Sequence, residues 1–340
     1  MNTLHQTLPP GQLKMGPECF RVQELVGRED YPIAVPLSRE TNVRGYGDGP
    51  FTLFSLTKCG ITTHRAVRIV ADQLCVPFDA VSYHGLKDRH AFTSQAIAVE
   101  GFFCPSFSFV PRNGNNDEEG IWLDQKWNLA RRLWRGGNVG NRFSIVVMTN
   151  ARARSVGFDI LWRVPNFFGA QRFGCWGGAE AGRMILEGNF DEAFAILLRD
   201  PNGRKLDAIR RSVGSAREAL LDSRYTFEFS MTVLKWQSFL WNQLLRMHLE
   251  CDVDLPDRIP MWSLEPDVCT LYQDLWNPAS LDLDIVSSLQ TFSRPTIVYP
   301  KNISYEQNLL GWRVEFDLPS GAYATVALSR IFSLGKEHVL

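Results

Sequence analysis

The sequence lacks most of the features that mark membrane-bound, metal-dependent or disulfide-stabilised proteins. No run of about 18 apolar residues occurs in its 340 residues, and the first residues do not form the basic-then-apolar pattern of a secretion signal. The seven cysteines include no CxxC pair, and the six histidines form no HxH or HxxxH motif. Such spacing indicates neither a disulfide framework nor a zinc site. We therefore expect a soluble, cytoplasmic protein without a bound metal.

Signatures of the common nucleotide-dependent enzymes and hydrolases are absent as well. The sequence contains no Walker loop, no GxGxxG fingerprint and no GxSxG elbow. No pair of acidic residues stands in a context typical of a glycosidase. A hydrolase of that class remains an alternative, which free base or sugar among the products would reveal. The net charge of −1 is not that of a general polyanion binder. No cofactor is expected.

Charge is nevertheless unevenly distributed along the chain. Residues 125–158 contain no Asp or Glu but several cations and aromatics. Arginine holds phosphates while aromatic rings stack on bases, so this mixture favours a nucleic-acid surface over a solvated basic face. The cations are Lys126, Arg131, Arg132, Arg135, Arg142, Arg152 and Arg154, and the aromatics are Trp127, Trp134 and Phe143.

Hydrophobic periodicity predicts strands towards both ends of the chain and helices in the middle. This order favours one domain inserted into another. A loop is expected over 32–50. The predicted strands are 51–56, 80–83, 96–99, 142–148 and 312–318. The predicted helices are one from Thr62 or Thr63 to Pro77, one capped by Asn189 with Glu192, and a long one over 230–250.

Three segments carry residues suited to chemistry on RNA. In GLKDRH (85–90), Asp88 stands among cations, which favour the ionised carboxylate that a nucleophile requires. In GNRF (140–143), an amide and an aromatic ring follow a glycine that permits close approach. In PNFFGAQRFG (165–174), polar groups stand between aromatics. From the residues alone, a surface turn, a strand start with Phe143 in the core, and a packed interdomain turn remain open alternatives.

Together these segments resemble, in the same order, motifs of the TruD family of tRNA pseudouridine synthases. The first match extends through GLKDRHAFTSQ (85–95). Two flanking stretches add to the resemblance. Leu13-Lys14 followed by PECF (17–20), with Val22 and Glu24, is similar to the family's N-terminal segment. LPSGAYAT (318–325) is similar to its C-terminal segment. The five motifs cover nearly the whole chain.

The resemblance implies an α+β fold with the mixed, mostly antiparallel pseudouridine-synthase sheet as its core. It implies a discontinuous catalytic domain over 1–162 and 293–340. A helix-rich RNA-binding domain of the TRUD type is expected as an insertion over 163–292. The implied activity is cofactor-free isomerisation of a tRNA uridine to pseudouridine, at uridine 13 of the D-arm for chains of this length. The partner is tRNA, and no obligate protein partner is evident.

The resemblance also assigns roles to residues. Asp88 falls on the catalytic aspartate and Lys14 on a lysine that orients it. Asn141 and Phe143 fall on active-site positions, with Phe143 expected to stack on the flipped uracil. Tyr323 falls on an aromatic residue of the pocket. The other expected substrate-binding residues are polar members of the same motifs: Lys87, Arg89, Asn166, Gln171 and Arg172.

Some points stay open. Cys19 stands where the family usually has Asp, and the stretch over 243–295 looks short. The sequence is compatible with three roles of Asp88: attack on C6 of the base, attack on C1′ of the ribose, or assistance to glycal formation. It does not identify the acceptor of the C5 proton. A catalytically inactive RNA-binding protein on the same scaffold is the main alternative function.

Overall fold

The computed structural model describes residues 8–13, 16–28, 31–36, 49–101, 107–109, 120–150, 157–174, 176–251, 254–289 and 291–334, without the side chains of 28, 31–36, 107–109 and 127. The chain divides into two compact units. Unit 1 takes Met1–Val164 and Tyr299–Gly335, and unit 2 takes Pro165–Val298. Unit 1 is therefore discontinuous in sequence.

The secondary structure follows the expected order of strands, helices and strands. The strands of the described residues are β1 (Pro10–Gly11), β2 (Phe20–Arg28), β3 (Tyr31–Pro36), β4 (Phe51–Cys59), β5 (Val81–Tyr83), β6 (Phe92–Glu100), β7 (Phe107–Phe109), β8 (Gly120–Leu129), β9 (Gly140–Met148), β10 (Val164–Pro165), β11 (Arg258–Pro260), β12 (Ser293–Pro295), β13 (Ile297–Val298), β14 (Lys301–Asn308), β15 (Gly311–Pro319) and β16 (Ser333–Leu334). The helices are α1 (Thr63–Gln73), α2 (Gly178–Leu186), α3 (Phe190–Leu197), α4 (Gly203–Val213), α5 (Ala216–Leu221), α6 (Thr226–Glu250), α7 (Pro266–Tyr272), α8 (Leu283–Ser287) and α9 (Ala324–Leu328).

A ten-stranded sheet forms the centre of unit 1. Its strand order is β14-β15-β9-β2-β6-β4-β8-β7, with β3 also paired to β2 and β5 to β6. Only the β2–β6 pairing is parallel among those described in this sheet. The prediction of a mixed, mostly antiparallel sheet in an α+β fold is therefore confirmed.

Strand β4 is buried on both faces, so its polar residues are buried together with its apolar ones. Phe54 and Leu56 belong to one cluster with Val67 and Val70 of α1. Because side chains alternate along a strand, Lys58 lies on the same face as Phe54 and Leu56. This face of β4 therefore begins in the apolar core and ends at a lysine.

Helix α1 begins where its sequence predicts. The Thr62 hydroxyl accepts a hydrogen bond from the Arg65 main-chain N–H at 3.3 Å, as an N-cap residue does. The helix ends at Gln73, four residues before Pro77 and earlier than the pattern suggests. This cap fixes the next residue, Thr63, at the edge of the candidate site.

In unit 2 the longest helix is α6, which begins four residues earlier than predicted. Helix α2 approaches it so closely that a Cβ added to Gly182 would lie 2.4 Å from the Thr232 carbonyl oxygen. The Trp241 indole of α6 is fully buried and donates to the Ile259 carbonyl at 3.1 Å. Gly182 therefore allows α2 to pack closely against α6, and the Trp241 hydrogen bond joins α6 to β11.

Two local predictions are wrong. Residues 31–36 form β3 instead of a loop, because pairing with β2 offers their backbone partners, and an edge strand tolerates its prolines. The Asn189 side chain does not cap α3; its amide contacts the Glu187 carboxylate at 3.5 Å. Residues 37–48 of the loop predicted over 32–50 lie outside the described residues.

Candidate active site

Asp88 lies on the connection that leaves β5 and enters β6. Two side chains beneath this connection hold its main chain. The Gln95 amide donates to the Gly85 carbonyl at 3.1 Å, and the Thr63 hydroxyl accepts from the Lys87 main-chain N–H at 2.9 Å. Thr63 in turn donates to Gln95 at 3.0 Å. The start of α1 and the body of β6 therefore fix the loop on both sides of its turn.

The Asp88 side chain is half-buried and accepts a hydrogen bond from the His90 main-chain N–H at 2.9 Å. A donor to a carboxylate favours its ionised form. Beneath the loop, the Lys58 ammonium donates to the Asp88 carbonyl oxygen at 2.6 Å. Burial lowers the pKa of Lys58 to about 8, and attraction to Asp88 opposes part of that decrease.

Lys87 is the centre of a second buried network. Its ammonium lies 2.9 Å from a Glu24 carboxylate oxygen and 2.6 Å from the Asn141 amide oxygen. The β2–β9 register places Glu24 opposite Asn141, so both face the same point. The Glu24 side chain is fully buried and that of Lys87 is 10% exposed. The other Glu24 oxygen accepts from the Ala96 N–H at 2.8 Å.

The network gives two predicted substrate-binding residues a role within the protein. Lys87 and Asn141 are hydrogen-bonded to each other, and Lys87 directly precedes Asp88 in the chain. Direct contact of either one with RNA stays a prediction. Fixing the residue next to Asp88 is the function that their geometry supports.

Phe143 lies two residues after Asn141 and therefore on the same face of β9. It is 7% exposed, with its ring centroid 6.5 Å from that of Phe20 and 5.7 Å from that of Phe316. The structure thus places Phe143 in an aromatic cluster of the sheet. Tyr323 is half-buried directly before α9. Stacking of either ring on a uracil stays a prediction.

Gly140 permits close approach, as the sequence predicts, and the group that approaches it is the main chain of strand β15. A Cβ at this position would lie 2.2 Å from the Leu318 carbonyl oxygen of β15. The glycine is therefore needed for the β9–β15 pairing that positions Asn141.

A basic loop, residues 130–139, is hydrogen-bonded to His84, which directly precedes Gly85 in the segment that contains Asp88. His84 is 5% exposed, and its Nδ1 lies 2.9 Å from the Trp134 carbonyl oxygen, while its own carbonyl accepts from the Gly136 N–H at 2.7 Å. The Trp134 side chain is 54% exposed, and the Arg131 guanidinium lies 5.3 Å from its ring centroid. Residues 130–139 therefore present an aromatic and cationic surface that is anchored at His84.

The predicted basic track is wrong at two positions. Arg142 forms two hydrogen bonds with the Asp317 carboxylate, at 2.7 and 2.9 Å, which raise the pKa of Arg142. Asp317 is its direct partner across the β9–β15 ladder. Lys126 is buried in β8. The exposed cations in the described part of this window are Arg131, Arg132 and Arg135, and 152 and 154 lie outside the described residues.

The remaining predicted residues are distributed over both units. In unit 2, Asn166 is buried; its amide donates to the Pro295 carbonyl at 2.9 Å and accepts from Arg294 at 2.7 Å. This supports the packed-turn alternative for Asn166. Gln171 is exposed, and half-buried Arg172 donates to Ser238 at 3.2 Å. Binding of RNA by these residues stays a prediction.

Two further predicted residues belong to unit 1. Arg89 is exposed and donates to the Gly60 carbonyl at 2.9 Å. Lys14 lies outside the described residues, so its pairing with Asp88 stays a prediction. Among the described residues, no cluster of His, Cys, Asp or Glu side chains is placed to hold a metal ion. No helix in the described part of the chain is long and apolar enough to cross a bilayer.

Sequence reasoning missed two members of the site. The sequence signal for Lys58 is a cation two residues after Leu56, the predicted end of a buried strand. Glu24 belongs to the N-terminal motif, but only the strand register shows that it meets Lys87. Both are buried charges, which proteins rarely keep without a specific partner.

Comparisons with known proteins identify the chain's relatives. The model of the family described as tRNA pseudouridine synthase D (TruD) matches residues 6–233. A tRNA pseudouridine synthase D of Anaeromyxobacter sp. is 32% identical over 222 residues, covering 64% of this chain and 56% of that protein. A tRNA pseudouridine synthase D of Marinobacter nauticus is 28% identical over 359 residues, covering 95% and 91%.

A solved structure shares the fold. It is that of a Methanosarcina mazei protein assigned to tRNA pseudouridine synthase D (TruD). The TM-score is 0.60 at 18% identity, with 98% of this chain and 96% of that chain covered.

Proposed function

The chain belongs to the tRNA pseudouridine synthase D (TruD) family, and from this premise we propose that it isomerises uridine 13 of tRNA with Asp88 as its nucleophile. The family resemblance drawn from the sequence motifs is confirmed. The protein is a tRNA pseudouridine synthase, an isomerase that converts uridine in tRNA to pseudouridine. The position in tRNA and the role of Asp88 are the parts that we add.

The reaction needs few chemical groups from the protein. The N1–C1′ bond breaks, the uracil turns and C5 joins C1′. A base takes the C5 proton and N1 gains one, so the proton count is unchanged. No electron or water is consumed overall, so a carboxylate and a positioned base are the groups required. The target base must first leave its stack, at a free energy of a few kcal/mol, which contacts with aromatic rings such as Phe143 would offset in part.

One observation supports Asp88 most directly. Its carboxylate is half-buried and accepts from a main-chain N–H, while three buried or half-buried side chains hold the surrounding main chain. A nucleophile must be held within about 0.5 Å of its productive position, and anchoring of this kind supplies that rigidity. The carboxylate would attack C6 or C1′, or stabilise charge during glycal formation.

Substitution of Asp88 tests the assignment. Asp88→Asn keeps the size and the hydrogen bond from His90 but removes the negative charge. We expect it to bind tRNA and to release no tritium from transcripts labelled at C5 of uracil. Asp79→Asn is the matched control, because Asp79 is an exposed residue of the same unit, and it should retain wild-type release. Full release by Asp88→Asn would refute the role of Asp88.

The surface of residues 130–139 is the proposed tRNA-binding element of unit 1. Trp134 offers an exposed ring for base stacking, and Arg131, Arg132 and Arg135 offer exposed cations for phosphates. This loop is hydrogen-bonded to His84, the residue before Gly85. We therefore propose that RNA bound to the loop reaches the segment that contains Asp88.

The two units correspond to two proposed tasks. We assign catalysis to unit 1, which contains Asp88 and the Lys87 network, and additional tRNA contacts to the helical unit 2. Gln171 and Arg172 are the polar residues of the PNFFGAQRFG segment with side chains at least partly open to solvent. They are therefore the proposed RNA contacts of unit 2.

The modified position is tested by mapping. Unmodified tRNA transcripts are treated with the enzyme, then with a carbodiimide that marks pseudouridine, and reverse transcription locates the stops. We expect a stop at position 13, and none in a transcript with cytidine at that position. A stop elsewhere would reject uridine 13 while leaving the reaction intact. Tight binding without any product would instead indicate an inactive RNA-binding protein.

A further inference from the structure

Lys58 is a fully buried lysine that the reaction scheme above does not use. It stands next to last in β4, opposite Thr93 of β6 and Ile121 of β8. Lysine is almost never fully buried unless its charge is compensated, because removing an ammonium from water is unfavourable. The hydrogen bond that the structure shows for this ammonium goes to the Asp88 carbonyl oxygen, at 2.6 Å.

The charges around Lys58 indicate which group compensates it. Among the described residues, those acting on it are Asp88 and Lys87 from the loop and Cys59 from its own strand. Lys87 is itself paired with the buried Glu24 carboxylate of β2. Thr93 and Ile121, its partners on the neighbouring strands, do not titrate. Among the described residues, Asp88 is therefore the carboxylate whose charge acts on Lys58.

We propose that Lys58 is a positioning residue for the isomerisation. Its buried ammonium holds the main chain at Asp88 and supplies a positive charge that favours the ionised Asp88 carboxylate when RNA excludes water from the site. The inference rests on the proposed role of Asp88 as nucleophile. The attraction between the ammonium and the carboxylate grows when bound RNA lowers the local dielectric constant.

The ionisation of Lys58 separates this role from a merely structural one. Burial lowers its pKa to about 8, so the ammonium is the main form at neutral pH and is lost as the pH rises through that value. The neutral amine keeps N–H groups for the Asp88 carbonyl but carries no charge. The rate should therefore fall above about pH 8 even though the protein remains folded.

The test is the single-turnover rate of pseudouridine formation from about pH 6 to about pH 9.5, a range that spans the expected ionisation. It compares the wild type with Lys58→Arg and Lys58→Met. Arginine keeps its charge over this range, whereas methionine fills the space without charge. Lys301→Met, at an exposed strand residue of the same unit, is the matched control. Thermal unfolding and tRNA affinity are measured for each variant.

The wild type should lose rate above about pH 8, and the control variant should show the same profile. Lys58→Arg should keep activity without that decline. Lys58→Met should lose at least about 100-fold in rate with unchanged tRNA affinity, as loss of an oriented charge does. Partial activity of Lys58→Arg with a pH-independent rate would still support the proposal.

Three results would overturn the inference. These are a wild-type rate that stays constant across this pH range, a Lys58→Arg profile with the wild-type decline, and a folded Lys58→Met variant with wild-type rate. If Lys58→Met does not fold, the wild-type and Lys58→Arg profiles still decide. Activity in Asp88→Asn would reject the nucleophile itself, whereas an inactive Asp88→Asn variant with active Lys58→Met would reject the role of Lys58 alone.

Discussion

Glu24→Gln should destabilise unit 1 strongly, because it leaves the Lys87 ammonium buried without its counter-charge. The two charged atoms lie 2.9 Å apart, with side-chain exposures of 0% for Glu24 and 10% for Lys87. At an effective dielectric constant of about 20, their attraction is on the order of 6 kcal/mol before desolvation is subtracted. Removing one member of a buried pair reduces stability by about 3–5 kcal/mol. We expect a decrease of that size in the free energy of unfolding of unit 1.

The assay is urea unfolding followed by circular dichroism, with thermal unfolding as a second probe. A loss of this size corresponds to a Tm decrease on the order of 10 °C for a unit of this size. Glu18→Gln is the control, because Glu18 is exposed near the start of the same strand, and its effect should stay within about 0.5 kcal/mol. A Glu24→Gln variant within about 1 kcal/mol of the wild type would refute the importance of the pair.

A double-mutant cycle separates the pair from the individual side chains. Combining Glu24→Gln with Lys87→Met removes both charges, so the double variant should be more stable than Glu24→Gln alone. Strictly additive losses would show that the two residues act independently. The same double variant should be a poor catalyst, because the residue next to Asp88 loses its anchor.

Two further outcomes follow from other parts of the structure. Arg131→Ala combined with Arg135→Ala should weaken tRNA binding and flatten the slope of log K against log salt by about 0.7–0.9 for each phosphate that is no longer neutralised. The control Arg211→Ala, in unit 2, should leave the slope unchanged. An unchanged slope in the double variant would place the phosphate-binding cations elsewhere. Gly140→Ala would bring a Cβ to 2.2 Å from the Leu318 carbonyl oxygen. We therefore expect this variant to lower the free energy of unfolding of unit 1 by about 1–3 kcal/mol. A wild-type Tm in thermal unfolding would contradict that close approach.

The parts of the fold predicted from the sequence are those set by local patterns. The apolar run from Phe51 and the alternation from Trp312 to Leu318 correspond to β4 and β15, because side-chain period alone distinguishes such strands. Thr62 is the N-cap of α1 for the same local reason. In contrast, the Asn189 capping box fails, since the matching residue types do not guarantee that the backbone adopts a capping geometry.

The parts that could not be predicted depend on pairing between distant segments. Arg142 reads as a phosphate-binding cation until the β9–β15 register places Asp317, 175 residues away, directly opposite it. Likewise, the sequence does not show that Lys87 contacts both Glu24 and Asn141, because strand pairing is what brings these residues together. The sequence correctly places Asp88 in a connection between two strands, but it does not show which polar residues of that connection face inward.

The most direct test of the central claim is a nucleoside balance on unmodified tRNA. Transcripts are incubated with the wild type or with Asp88→Asn, digested to nucleosides and separated by liquid chromatography. We predict that the wild type gains one pseudouridine for each uridine lost, with no free uracil, and that Asp88→Asn gains none. Equal pseudouridine from both proteins, or uridine lost as free uracil, would contradict an isomerisation that depends on Asp88.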